Sequence, residues 1–297
     1  MIEIKNLTKK FDTNIAVNNL SLTFDTGIYG VVGQNGAGKS TLFRLISDIY
    51  VKDAGSITID GYDSSSEEGK KLIFFLPDTP YFEKHSKVSD MIDLYSNFYN
   101  IDTERFYSLI ELFKLPKDGR IGKFSKGMLR QTFIALSLSV ECKYLFLDEA
   151  FDGLDPLVLE TIKEKILETK DLGRTIVASS HNVNTLEKLV DSFIMITKGK
   201  ITGNDTNENI GQNYVKFQVL FQNDVTEEDL IHTGINVVSF RKYGSICNIV
   251  VLEQENVEEL INKVSPTILL ERVPIDINEI ITLNMLIAKK EVEHENK

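Results

Sequence analysis

The sequence predicts an α/β protein built on a parallel-sheet core and followed by a smaller α+β domain. Three observations carry that prediction. The first is a set of short, continuously apolar runs: Ile28-Tyr29-Gly30-Val31-Val32, Leu72-Ile73-Phe74-Phe75-Leu76, Tyr144-Leu145-Phe146-Leu147 and Thr175-Ile176-Val177-Ala178. Strands that are apolar on both faces belong to a parallel sheet covered by helices on both sides. The second is a glycine-rich loop set between the first of these runs and a helical stretch, Leu42 to Ile46. The third is a step in composition near residue 204: residues 1–204 carry 25 basic and 28 acidic side chains, whereas residues 205–297 carry 8 and 16.

The length of 297 residues suits about two domains. A polar run, Gly203 to Asn209, places the boundary between 1–204 and 205–297. Period-two segments at Ile2 to Leu7, Leu20 to Phe24 and Ser56 to Asp60 predict antiparallel strands beside the parallel core. Between Leu76 and Tyr144, apolar residues recur at helical spacing (Met91, Leu94, Tyr95, Phe98, then Phe106, Leu109, Ile110, Phe113), so a helical insertion is expected over about residues 82–140. Beyond Tyr214 the runs read βαββαβ, with Thr226-Glu227-Glu228-Asp229 as a capping pattern and a closing helix from Asp276. That order is the small ferredoxin-like split βαβ arrangement.

Composition narrows the function classes. A net charge of −11 is the wrong sign for a surface built around a phosphate backbone, so no nucleic-acid partner is expected. The apolar stretches fall short of the roughly 18 residues of a membrane span, and the start of the chain reads as a strand rather than a secretory signal, which predicts an intracellular protein. Cys142 and Cys247 lie far apart with no metal-ligand spacing, so neither disulfide nor zinc is implied.

The strongest chemical signal is Gly33-Gln34-Asn35-Gly36-Ala37-Gly38-Lys39-Ser40-Thr41, a G-x-x-x-x-G-K-S pattern between a strand and a helix. Glycines let backbone N–H groups curl around phosphate oxygens, the helix N-terminus adds free donors, Lys39 reaches the β- and γ-phosphates, and Ser40 ligates Mg²⁺. A nucleoside triphosphate is the ligand this pattern fits. The run Tyr144 to Leu147 ends in Asp148-Glu149, at the carboxyl end of a strand where open α/β sheets bind ligands. Asp148 is assigned to Mg²⁺, and Glu149 to the general base that activates water at the γ-phosphate.

With these elements in place, residues Met1 to about Ile201 resemble the nucleotide-binding subunits of ATP-binding cassette (ABC) transporters, a branch of the P-loop NTPases. Phe124-Ser125-Lys126-Gly127-Met128 resembles the family's signature loop, Gly153-Leu154-Asp155 its D-loop, and Ser179-Ser180-His181 its switch histidine. The guanine-reading N-K-x-D pattern is missing, so the resemblance implies ATP with Mg²⁺. It also implies residue roles. Phe11 stacks on adenine, while Gly33, Asn35, Gly36, Ala37, Gly38, Lys39, Ser40 and Thr41 hold the phosphates. Lys39, Glu149 and His181 serve hydrolysis. Two cassettes, of the same chain or a paralogue, pack head to tail, so that Ser125, Gly127 and Asp155 of one complete the ATP site of the other.

Two departures from the family pattern stand out. The signature reads Ser-Lys-Gly-Met instead of Ser-Gly-Gly-Gln, and Asp78 occupies the place of a glutamine that touches Mg²⁺. Asp78 is therefore either a metal ligand or only a loop residue. Leu76-Pro77-Asp78-Thr79-Pro80-Tyr81 is similar to the ABC-2 type exporters of drugs, polymers or peptides. The resemblance thus implies a transport-coupled ATPase at the cytoplasmic face of a bacterial membrane. It would work beneath a separate permease that touches the insertion around Asp78 to Asn100, with a peptide or antimicrobial compound as plausible cargo. An importer subunit, or an ATPase acting on ribosomes or DNA, remains an alternative at this point.

Overall fold

Ile2, Ile4 and Leu7 turn inward along β1 (Ile2–Phe11), Leu20, Leu22 and Phe24 do the same along β2 (Asn14–Phe24), and the two strands pair antiparallel. The chain continues through β3 (Ile28–Val32), α1 (Lys39–Ile46), β4 (Ala54–Ile59), β5 (Tyr62–Asp63), α2 (Glu67–Lys71) and β6 (Ile73–Leu76). Three helices follow, α3 (Val88–Ser96), α4 (Thr103–Leu112) and α5 (Lys126–Ser139), with a short 3₁₀ turn at Ile121–Lys123 ahead of the last. Then come β7 (Tyr144–Leu147), α6 (Pro156–Asp171), β8 (Thr175–Ser180), α7 (Val183–Leu186), β9 (Ser192–Thr197) and β10 (Lys200–Thr206).

This computed structural model describes residues 1–206 and 213–295. Two compact units divide the chain, Met1–Asn207 and Glu208–Lys297; residues 207–209 of the polar run expected at the boundary lie outside the described residues. In the first unit one antiparallel sheet has the order β2-β1-β4-β5 and a second sheet the order β10-β9-β3-β8-β7-β6. In that second sheet β9, β3, β8, β7 and β6 run parallel, and β10 closes the edge antiparallel. The four continuously apolar runs are thus neighbours, β3-β8-β7-β6, as burial on both faces requires. Their carboxyl ends lie side by side and set the segments that follow them in one row. Phe146 of β7 is fully buried and meets Phe24 of β2 and Phe43 of α1 edge-on, at centroid distances of 6.1 and 5.2 Å, which locks the two sheets and the first helix together.

The second unit follows the expected βαββαβ order: β11 (Tyr214–Phe221), α8 (Glu227–His232), β12 (Val237–Tyr243), β13 (Ile246–Leu252), α9 (Val257–Val264) and β14 (Thr267–Val273), then α10 (Ile277–Glu295). Its antiparallel sheet has the order β12-β13-β11-β14, over a core that includes Phe217, Val219, Leu230, Ile249, Val251 and Ile261. Thr226 caps α8 by accepting from Asp229 N, and the Asp229 carboxylate accepts in return from Thr226 N. Cys142 and Cys247 are both free and buried. Among the described residues no helix is long and apolar enough to cross a membrane.

One polar cluster ties the sheets of the first unit. The Asp60 carboxylate, after β4, accepts from the Tyr144 hydroxyl and from Lys143 Nζ, each at 2.7 Å. Burial alone would raise its pKa, but the bonds from Lys143, the ammonium of Met1 and Tyr144 outweigh burial and hold the carboxyl far below the usual range. A pKa lower in the folded than in the unfolded chain gives stability that is present at neutral pH and lost as pH falls below about 4. Asp60→Asn should therefore cost up to about 1 kcal/mol at pH 7, solvent screening included. Its melting temperature should converge on that of the parent chain as the pH is lowered, which thermal unfolding at a series of pH values will read.

Candidate active site

The loop leaving β3 can turn back on itself only because of its glycines. Gly36 and Gly38 have φ of +79° and +111°, and a Cβ at Gly38 would stand 2.4 Å from the Ala16 carbonyl oxygen. No side chain caps α1 at Gly38, so the first N–H groups of the helix are left for an anionic ligand. Lys39 is only 5% exposed; its Nζ donates to Gly33 O at 2.7 Å and pairs with Glu149 Oε1 at 3.2 Å. The ammonium is thereby held inside the curve of the loop.

Asp148 directly follows β7 and is fully buried. Its Oδ1 accepts from Ser40 Oγ at 3.1 Å and from Ser179 Oγ at 2.6 Å. Oδ2 is buried and accepts no hydrogen bond from the described residues. Burial pushes the carboxyl pKa up against the pull of the two hydroxyls. An orphaned carboxylate oxygen beside a serine hydroxyl is a hard oxygen donor set, and it fits Mg²⁺.

Glu149 sits in the left-handed region at φ +48°. Its N–H donates to Ser179 Oγ at 3.0 Å, and its Oε2 accepts from His181 N at 3.2 Å and lies 3.0 Å from His181 Nδ1. The same Nδ1 lies 3.1 Å from Asp152 Oδ2, so one imidazole nitrogen is set between two carboxylates. Burial would raise the Glu149 pKa, but the Lys39 charge and the His181 bond prevail and lower it. Asp152 moves the other way, raised by burial and then by the neighbouring Glu149 charge.

One cavity of about 540 Å³ gathers Phe11, Asn35, Gly36, Ala37, Gly38, Lys39, Ser40, Thr41, Asp78, Glu149, Asp152 and His181, while Asp148 and Ser179 are buried and do not line it; Asp148 touches the lining through Ser40. The ring of Phe11 is backed edge-on by Tyr50 at 5.4 Å. Gly33 lies behind the loop, where a Cβ would meet Ile196 O at 2.4 Å. Asp78 reaches the cavity, yet its Oδ1 accepts from Arg130 Nη2 at 2.7 Å and its Oδ2 from Thr79 Oγ1 at 3.4 Å. Ser125, Gly127 and Asp155 lie off this cavity. Ser125 caps α5 by accepting from Met128 N at 3.2 Å, and Asp155 caps α6 by accepting from Leu157 N at 2.9 Å.

Three polar residues of the site carry no role in the sequence reading: Ser179, Asp152 and Arg130. Arg130 does leave a trace in sequence as the one charged residue between Gly127 and Val140. Ser179 and Asp152 are recognisable only by what they touch. Ser179→Ala would strip the shorter hydrogen bond from the buried Asp148 carboxylate and leave Glu149 N without an acceptor. The expected cost is about 1–3 kcal/mol of stability, read from thermal unfolding without nucleotide.

The sequence matches the family described as ABC transporter over residues 17–152. The lantibiotic transport ATP-binding protein SrtF of Streptococcus pyogenes is 30% identical over 227 residues, 73% of this chain and 99% of that protein. The methionine import ATP-binding protein MetN of Haemophilus ducreyi is 31% identical over 219 residues, 68% of this chain and 64% of that protein. A solved ATP-binding subunit of an ABC transporter superposes with a TM-score of 0.66 at 26% identity, covering 71% of this chain and 91% of that structure.

Proposed function

This chain belongs to the ATP-binding subunits of ABC transporters, and from that premise we propose that it powers export of a substrate through a separate membrane permease. The observation that carries the reading is the single cavity in which the phosphate loop, Phe11, Glu149 and His181 meet. Phe11 stacks on adenine, the N–H groups of Asn35 to Thr41 surround the phosphates, and Lys39 turns from Glu149 to the β- and γ-phosphates. Ser40 and Asp148 would hold Mg²⁺, which when bound neutralises charge on those phosphates. Glu149, kept ionised, takes a proton from the attacking water, and His181 orients that water and the γ-phosphate.

A second cassette completes the site. Among the described residues a Cβ at Gly127 would meet only Ser125 Oγ, at 3.9 Å, so the bare backbone there suits close approach from outside. Beside Asp155, Leu157 is 81% exposed, an apolar surface ready for the same partner. Two ATP molecules then join two chains head to tail, and hydrolysis releases them. On the insertion Tyr81 and Phe98 are 82% and 74% exposed, which supports a permease contact around Asp78 to Asn100 at the cytoplasmic face of a bacterial membrane. Export is favoured over import by Leu76 to Tyr81, and the lantibiotic-transport relative supports a peptide or antimicrobial compound as the cargo class.

The test is to tag the full chain, isolate it gently from detergent-solubilised membranes and identify its companions by mass spectrometry. A polytopic permease in stoichiometric amount is expected, and ribosomal or chromosomal proteins without a permease would overturn the transport reading. Glu149→Gln should retain ATP and lower turnover by at least about 100-fold. Hydrolysis at the parent rate would remove Glu149 from its role.

A further inference from the structure

The guanidinium of Arg130, on α5, reaches the turn after β7 and the loop after β6 at once. Nη1 donates to the carbonyl oxygens of Glu149 at 2.7 Å and Asp152 at 2.8 Å. Nη2 donates to Asp78 O at 3.2 Å and to Asp78 Oδ1 at 2.7 Å. A planar fork with donors in fixed directions can serve three carbonyls and a carboxylate together, which a lysine ammonium on a flexible stem cannot copy. The side chain of Arg130 is largely buried, and its two bonds from Nη1 are partly shielded from water, whereas the bonds to Asp78 lie at the exposed end of the fork.

What the fork holds is the turn that aims the hydrolytic carboxylate. Glu149 is a non-glycine residue at φ +48°, a conformation that persists only where the surroundings impose it. Its N–H is fixed by Ser179 and its C=O by Arg130, so the peptide groups on both sides of its Cα are clamped. With the backbone clamped, the side chain points to Lys39 and His181. The second carbonyl that Arg130 holds belongs to Asp152, whose carboxylate flanks the same imidazole. One cation therefore orients both acids around His181.

We propose that Arg130 is a positioning residue for the Glu149 carboxylate, and that Asp78 acts as the counter-charge that fixes Arg130 rather than as a metal ligand. Its Oδ1 is committed to the Arg130 guanidinium at 2.7 Å, while its Oδ2 has only a 3.4 Å contact with the neighbouring Thr79 hydroxyl, so the ion pair is the strong interaction of this carboxylate. The proposal rests on the reading of Glu149 as the general base. It joins the loop after β6, the turn after β7 and the helix behind Ser125 through a single side chain.

The experiment measures ATP turnover, Mg-ATP affinity with a fluorescent ATP analogue, and the Mg²⁺ concentration at half-maximal rate. It uses the full chain and its variants Arg130→Gln, Arg130→Lys, Asp78→Asn and the double variant Arg130→Gln/Asp78→Asn. Arg130→Gln should lower kcat about ten- to hundredfold while nucleotide affinity stays within about twofold, because misaimed groups cost rate rather than binding. Arg130→Lys should fall between Gln and the parent. Asp78→Asn should lower kcat by a smaller factor with the Mg²⁺ requirement unchanged, and the double variant should be no slower than Arg130→Gln alone.

Parent-like kcat in Arg130→Gln would overturn the proposal. So would a loss confined to nucleotide affinity and melting temperature, which marks a merely structural role. A raised Mg²⁺ requirement in Asp78→Asn would return that residue to the metal. If Arg130→Gln fails to fold, Arg130→Lys and Asp78→Asn decide alone, parent-like kcat in both being the refuting result. A parent chain that neither binds nor hydrolyses Mg-ATP would strike the reading of the whole site; an active parent with equally active variants would strike only Arg130.

Discussion

Asp148 is a carboxylate with no access to water, and such a group must be solvated by the protein or it will not stay ionised. Ser40 comes to it from the first turn of α1 and Ser179 from the end of β8, while Asp148 itself directly follows β7. Three elements are thereby bound to one oxygen atom. The same Ser179 hydroxyl then accepts from Glu149 N, so the residue after Asp148 is fixed by the group that solvates Asp148. The phosphate loop, the acidic turn and the histidine strand cannot shift independently while this arrangement stands.

The strand order makes the arrangement possible. β8 lies between β3 and β7, with β6 beyond, so the segments leaving the carboxyl ends of four adjacent parallel strands are the phosphate loop, His181, Asp148-Glu149 and Asp78 in turn. Residues distant in sequence become neighbours because the sheet places them so. This is the usual location of ligands in open α/β folds.

That distinction also explains what could be read from the residues. The apolar runs that became β3, β6, β7 and β8, the glycine loop and the Thr226 capping pattern are local signals, each complete within a few residues. Glu149 was legible from the pair of carboxylates that ends an apolar strand, Phe11 and His181 only from their match to a family pattern, and all three line one cavity. The Asp78 to Arg130 bond has no such signature. Its partners are 52 residues apart, and each looks ordinary in its own segment. The pairing of Asp152 with His181 is hidden in the same way: an acid three residues after Glu149 reads as turn chemistry until the imidazole is placed against it.

Ser125 and Gly127, which would cover the nucleotide, stand apart from the cavity floor that would bind it. On the proposed pairing, each chain carries the base of one chamber and the lid of another, and neither is a chamber by itself. Fuel consumption then becomes a property of assembly rather than of synthesis. Dilute chains would hold nucleotide without burning it until two of them meet, and a permease that gathers two would bring lid and base into register sooner. The rate per chain would therefore rise with concentration, and a permease that holds two chains side by side would lift that dependence.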